Sequence, residues 1–229
     1  MAPRGPRLLS QVPLGVLTLL VVGGIVLSLA TAPPDAPLQL RAAAEATVVA
    51  PGFELQDANS VTPPAGTGAA ARVEVIDVLY EAPDRVFETG PGPNGQTVSV
   101  LVAGDRHFSR TGTGWEELPP SPGIGAEAVQ TVLSPLQAAA GATQVTRSGD
   151  VYRFVPPDLD RFVATLLGTS PTALSSLRLT ATVQGEFVTR VQVVGVLHGE
   201  RLEVMVALAR IGSAPPVTLP PTSQVAPAQ

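Results

Sequence analysis

The side chains that could do chemistry are few and scattered. Two histidines are present, His107 in a strand-like run beside Phe108 and His198 in the turn Leu197–Glu200. They lie far apart in sequence, and no acidic cluster at ligand spacing accompanies either of them, so a metal centre is not expected. The chain has no cysteine, which rules out disulfides, thiolate metal sites and a cysteine nucleophile. No GxSxG elbow is present to seat a serine nucleophile. Gly90-Pro91-Gly92-Pro93-Asn94-Gly95 spells a GxGxxG string, but that fingerprint needs a following helix whose free amides face a pyrophosphate. Here two prolines remove amides and a strand follows, so a plain turn is predicted. The acidic pairs Glu116-Glu117 and Asp158/Asp160 read as opposite faces of a strand and as the favourable first turn of a helix. No catalytic constellation, metal or cofactor is expected, and the chain is read as a non-enzyme.

Composition narrows the partners. Hydrophobic residues make up 45% of the 229 positions and charged ones 14%, with a net charge of -5. The basic residues are all arginines and form no stripe, so a nucleic-acid partner is excluded.

What remains is a pattern of elements. In Leu177–Leu208, Leu177, Leu179, Ala181 and Val183 alternate with polar residues, and Leu202, Val204, Val206 and Leu208 alternate with Arg201, Glu203, Met205 and Ala207 after the intervening run Phe187–Val196. The period of two and the short connections predict a three-stranded antiparallel meander with one buried face. Further strands are expected at 53–61, 72–81, 84–89, 96–103 and 106–110, with a hairpin at 144–148 and 151–155. Three helices are expected. The first covers 38–50, with Arg41 and Glu45 at i,i+4. The second covers 127–140, with a stripe of Val129, Val132, Leu133 and Leu136, and Pro135 inside it. The third starts at Asp158, carries Leu159, Phe162, Val163, Leu166 and Leu167 on one stripe, and is capped by Gly168. These stripes must cover the sheet.

The ends read differently. Residues 1–11 carry Arg4 and Arg7 and no acid, and the uncharged residues 12–32 span about 31 Å at ~1.5 Å per residue, close to the ~30 Å of a bilayer core. A single-pass anchor in the cell membrane with a cytoplasmic N-terminus is expected, the remainder lying outside. The alternative is a cleaved signal ending at Ala30-Thr31-Ala32 and a secreted protein. Residues 33–37 form a proline-rich linker, 38–220 one domain, and 221–229 a disordered tail.

Three segments, Tyr80–Arg85 (Tyr-x-x-Pro-Asp-Arg), Gly104–Trp115 (Gly-Asp-x-x-Phe, then Trp) and Ile211–Pro220, together with the order of elements, resemble the LppX/LprG-type extracytoplasmic lipoproteins and, more distantly, the LolA/LolB lipoprotein-carrier fold. The resemblance covers most of 38–220. It implies an α+β fold: a curved antiparallel half-barrel with helices across its concave face, here preceded by a transmembrane helix, enclosing an apolar cavity for acyl chains. Residues expected to line that cavity are Leu179, Ala181, Val183, Val204 and Val206 from the sheet and Val132, Leu136, Phe162 and Leu166 from the helices, with Trp115 at its mouth. The lipoproteins carry a lipidated cysteine that this chain lacks, so residues 12–32 would serve as the tether. The implied function is shielding of a lipid or acylated ligand for transfer or handling, with the membrane as a second partner. The alternative is a sensor or interaction domain in an envelope signalling complex, with a membrane protein as partner.

Overall fold

The computed structural model describes residues 35–226 apart from Pro93 and Gly168. The anchor or signal expected at 12–32, the N-terminal residues before it and the Gly168 cap lie outside the described residues. Among the described residues no helix is long and apolar enough to cross a membrane.

Twelve strands form one curved sheet in the order β12-β6-β5-β4-β3-β2-β1-β11-β10-β9-β8-β7. The chain begins with helix α1 (Ala36–Val48) and enters the middle of the sheet at β1 (Gly52–Thr62). It then meanders to one edge through β2 (Arg72–Glu81), β3 (Arg85–Pro91), β4 (Thr97–Ala103), β5 (Arg106–Thr111) and β6 (Gly114–Glu117). Helix α2 (Ile124–Ala140) carries it back to the far edge. There β7 (Gln144–Ser148) and β8 (Val151–Val155) precede helix α3 (Leu159–Leu167), and β9 (Ser175–Gln184), β10 (Phe187–Leu197) and β11 (Glu200–Ala209) return to pair β11 with β1. All these pairs are antiparallel, as short connections require. The exception is β12 (Val225–Ala226), which lies parallel to β6.

The predicted strands and hairpin are present with shifts of one or two residues at their ends. Helix α1 starts earlier than expected, at Ala36, with Pro37 in its first turn, where the missing N–H costs nothing. Pro135 sits buried within α2, which continues through it.

Alternation sorts the side chains. Phe53, Leu55, Val78, Tyr80, Val86, Val191, Val193, Val204, Val206 and Leu208 share one face with the stripes of α1, α2 and α3 and form the main core. Two contacts show how tightly the helices are set. A side chain on Gly125 would overlap the carbonyl oxygen of Gly104, so the start of α2 lies directly against the β4–β5 turn. A register shift between Val188 and Arg190 interrupts the β9–β10 ladder, and the Val188 N–H instead donates to Thr47 Oγ1 at 3.0 Å. That fully buried hydroxyl in turn donates to the Ala43 carbonyl at 2.7 Å, so α1 repairs the bulge.

The tail departs from expectation. Residues 221–226, predicted to be disordered, form a short turn at Thr222–Gln224 and then β12. Before that, Val217 is buried on the opposite, convex face of the sheet against Leu101, Phe108 and Trp115. One apolar residue between prolines finds a pocket more than a hundred residues away in sequence, which local composition does not reveal.

Candidate functional site

The concave face is the place to look for a ligand, and its two ends differ. Under α1 and α2 the strands are closed: Phe53, Tyr80, Val86 and Val102 are all buried. Toward the other end the same face opens. Along β1 it runs from buried Phe53 to half-exposed Val61, along β2 from Tyr80 to half-exposed Ile76, and along β4 from Val102 to half-exposed Val100 and Val98. Leu174 packs over Gly195, whose missing side chain leaves it room, and Leu177 and Leu202 are likewise half-exposed there. An apolar floor therefore extends from the core into solvent.

The residues expected to line a cavity are brought together, but as core. Leu136 and Ala181 are at most 1% exposed, and Val132, Phe162, Leu179, Val204 and Val206 between 4% and 7%. Leu166 and Val183 are half-buried against the same cluster. Walls of a hollow wide enough for an acyl chain would keep accessible surface inside it. Apart from Leu166 and Val183 these residues keep almost none, so they interlock and fill the space below the helices. The sequence asks for apolar residues in either case, and only packing distinguishes them.

Trp115 stands elsewhere than expected. It lies on the convex face, 6.2 Å from the Phe87 ring and 4.8 Å below the Arg110 guanidinium, and the tail covers it. The expectation was right about an edge hairpin and wrong about which face the ring takes. In a strand, one step of register decides that.

Sequence reasoning passed over the polar groups of the open end. Asp57 and Glu88 lie on the helix-bearing face, Asp57 opposite Ile76 and Glu88 opposite Val78. Burial pushes the Asp57 carboxyl up, against a lowering hydrogen bond from Asn59, and repulsion from Glu74 adds to the rise. Burial also raises Glu88, and the neighbouring Asp57 raises it further. The Asp57 Oδ1 atom is buried without a donor among the described residues. Charged residues inside an otherwise regular run of β1 and β3, at positions where the alternation demands an apolar side chain, were the available signal.

The other candidates resolve simply. Asp158 caps α3 by accepting the Arg161 N–H at 3.0 Å. Glu117 pairs with Arg106 at 2.8 Å, which lowers the carboxyl and raises the guanidinium. Gly90 and Pro91 end β3, and the Gly92 N–H donating to the Gln96 carbonyl at 2.7 Å marks the reversal into β4 rather than a helix. Among the described residues no group of three or more histidines and acids is placed to hold a metal.

No family model and no curated protein sequence matches the chain. Solved structures are similar to it. The lipoprotein LppX of Mycobacterium tuberculosis has 16% identity and a TM-score of 0.46, with 81% of this chain and 98% of that one covered. LprF of Mycobacterium bovis has 13% identity and a TM-score of 0.46, with 82% and 97% covered. A LolA superfamily protein of Nitrosomonas europaea has 11% identity and a TM-score of 0.32, with 81% and 95% covered.

Proposed function

We propose that this chain is a membrane-tethered, extracytoplasmic, non-catalytic protein that shields the acyl chain of a lipid or acylated ligand on the concave face of its sheet. The observation that carries the reading is the half-exposed patch at the open end of the concave face, Ile76 packed against the core and Val98 and Val100 on β4, with the carboxylates of Asp57 and Glu88 beside them. The uncharged run at 12–32 supports the tether.

Magnitudes indicate how such a site would work. A chain lying on the floor with its other side in water gains about half of ~0.8 kcal/mol per CH₂, so ten methylenes give roughly 4 kcal/mol, which is millimolar binding. Useful affinity requires the chain to be covered on both sides. Helix α3 is the element that could provide this, because it has nine residues and holds the sheet by Phe162, Val163 and Leu166. In this proposal α3 lifts and the ligand slides between Phe162 and Leu166 above and Leu179 and Val204 below. The core side chains it displaces become its walls.

A photoactivatable fatty-acyl probe tests the reading on the full chain. Adducts are expected on β2 and β4 around Ile76, Val98 and Val100 and, beneath α3, on Phe162, Leu179 and Val204, and those on β2 and β4 should be lost in Val100→Asp. Adducts confined to residues 12–32 would show lipid at the tether alone and overturn the assignment.

The filled core favours a second reading, an interaction domain of an envelope signalling complex in which the helices need not open. Capture of a stoichiometric membrane protein by the intact chain, without lipid, would support it over the first.

A further inference from the structure

The tail after β11 is clamped rather than merely laid down. The Val217 N–H donates to Glu81 Oε2 at 2.8 Å, and the Val217 carbonyl accepts from Arg85 Nη1 at 3.3 Å. Both clamping side chains lie within the Tyr80–Arg85 corner singled out in the sequence, so the motif acquires a task. The Val217 side chain, 2% exposed, is seated against Leu101, Phe108 and Trp115. Prolines 215, 216, 220 and 221 surround it. They lack N–H groups and hold φ near −65°, so the segment is already extended before it docks. Pro221 has φ −57° and ψ 137°.

We propose that the convex face of β2–β6 is a docking groove for an extended, proline-flanked apolar segment of another protein, and that the chain's own tail occupies it in cis. Three observations carry this. First, the clamp reads the two main-chain groups of a single residue through side chains of β2 and β3, so recognition does not depend on the segment belonging to the same chain. Second, the floor is an aromatic and arginine platform, Phe87, Trp115 and Arg110, of the kind that binds polyproline segments. Third, the berth does not end where the tail does. The groove of about 310 Å³ beside Pro216–Pro221 shares Leu79 and Phe87 with a second of about 530 Å³, floored by Ala207 and Ala209 and rimmed by Glu54 and Asp77. Arg210 engages Glu54 at 3.1 Å and Gln56 donates to Asp77 at 3.0 Å, so both rim carboxylates are paired within the chain. A partner segment longer than the tail could continue there over Ala207 and Ala209. The inference is independent of what the concave face holds.

Trp115 is the sole tryptophan and reports directly on the groove. In the full chain, Val217→Asp should expel the tail, because a carboxylate would lose its hydration among the apolar Leu101, Phe108 and Trp115 side chains, and shift Trp115 emission to the red. A synthetic peptide of residues 213–226 should then bind this variant saturably and restore the blue emission. It should bind the unaltered chain at least ~10-fold more weakly, since the tail competes, and the peptide carrying V217D should bind the variant at least ~10-fold more weakly. A V217D chain that keeps its circular dichroism but takes no peptide would overturn the proposal, as would an unaltered chain that takes none at any concentration or a V217D chain that fails to fold. Concentration-dependent dimers abolished by V217D would replace the foreign partner with a second copy of this chain.

Discussion

The two faces of the sheet are covered by different means. The concave face is closed by three helices whose stripes interlock with strands from β1 to β10, including Leu40, Leu136 and Val163 at full burial. The convex face is closed over β3–β6 alone, by an irregular tail that buries four large or branched residues, Leu101, Phe108, Trp115 and Val217. Helical cover brings regular stripes and a large shared core, while the tail adds Val217 with two hydrogen bonds from a clamp and the two-residue β12 beside β6. Helices α1 and α2 belong to the cooperative unit, whereas the nine-residue α3 and the tail are the kind of cover that can open without unfolding the rest. The comparison also explains β4, where Leu101–Ala103 is continuous in small and apolar residues because both faces are covered there, whereas β9 alternates strictly from Leu177 to Gln184.

The largest effect that would sharpen this contrast is on the concave side. Phe53→Ala, which removes a wholly buried ring stacked 4.9 Å from Tyr80, should cost ~3–5 kcal/mol in urea unfolding. Thr47→Val comes next. It keeps the shape but leaves the Val188 N–H without its acceptor, at about 1–3 kcal/mol. Val217→Ala should cost roughly 1–2 kcal/mol at most, and hydrogen exchange should show the loosening confined to the tail and β6. If exchange accelerated throughout the sheet, the two faces would be one unit and the contrast would fail.

The smallest effect concerns the open end and depends on pH. Asp57 and Glu88 have carboxyls raised by burial, so the folded state holds their protons more tightly than the unfolded chain does. Their ionisation therefore opposes folding: the penalty is absent below the ordinary carboxylate range of about 4, grows as pH rises through the raised pKa, and is complete above it. Asp57→Asn should accordingly stabilise at neutral pH and lose its advantage on acidification, measured as the difference in denaturation midpoint between variant and parent. An advantage that persists at low pH would mean that packing, not charge, is responsible.

Much of the architecture was legible. The alternation of Leu179, Ala181, Val204 and Val206, the stripe Leu159–Phe162–Val163–Leu166 and the Asp158 cap define strands and a helix through local geometry, since period and capping act within a few residues. The face taken by Trp115 was not legible. In β5, Arg106, Phe108 and Arg110 alternate with His107 and Ser109, and neither set announces a core, so the direction depends on what lies against the sheet. The acids Asp57 and Glu88 were legible as charges at positions where the alternation asks for an apolar side chain, but their burial beside Ile76 and Val78 was decided by tertiary packing.

By itself the amino-acid order determined the strands, the three helices, the buried side of the central meander and the absence of a cysteine, because each follows from spacing or identity within a short window. Whether the helices roof a hollow or close on a filled core, and whether the proline-rich tail is loose or seated, was decided by tertiary structure alone. Both depend on the match between surfaces brought together from distant parts of the chain, Phe162 with Val204 and Val217 with Glu81 and Arg85, and that match is a property of packing which no periodicity encodes.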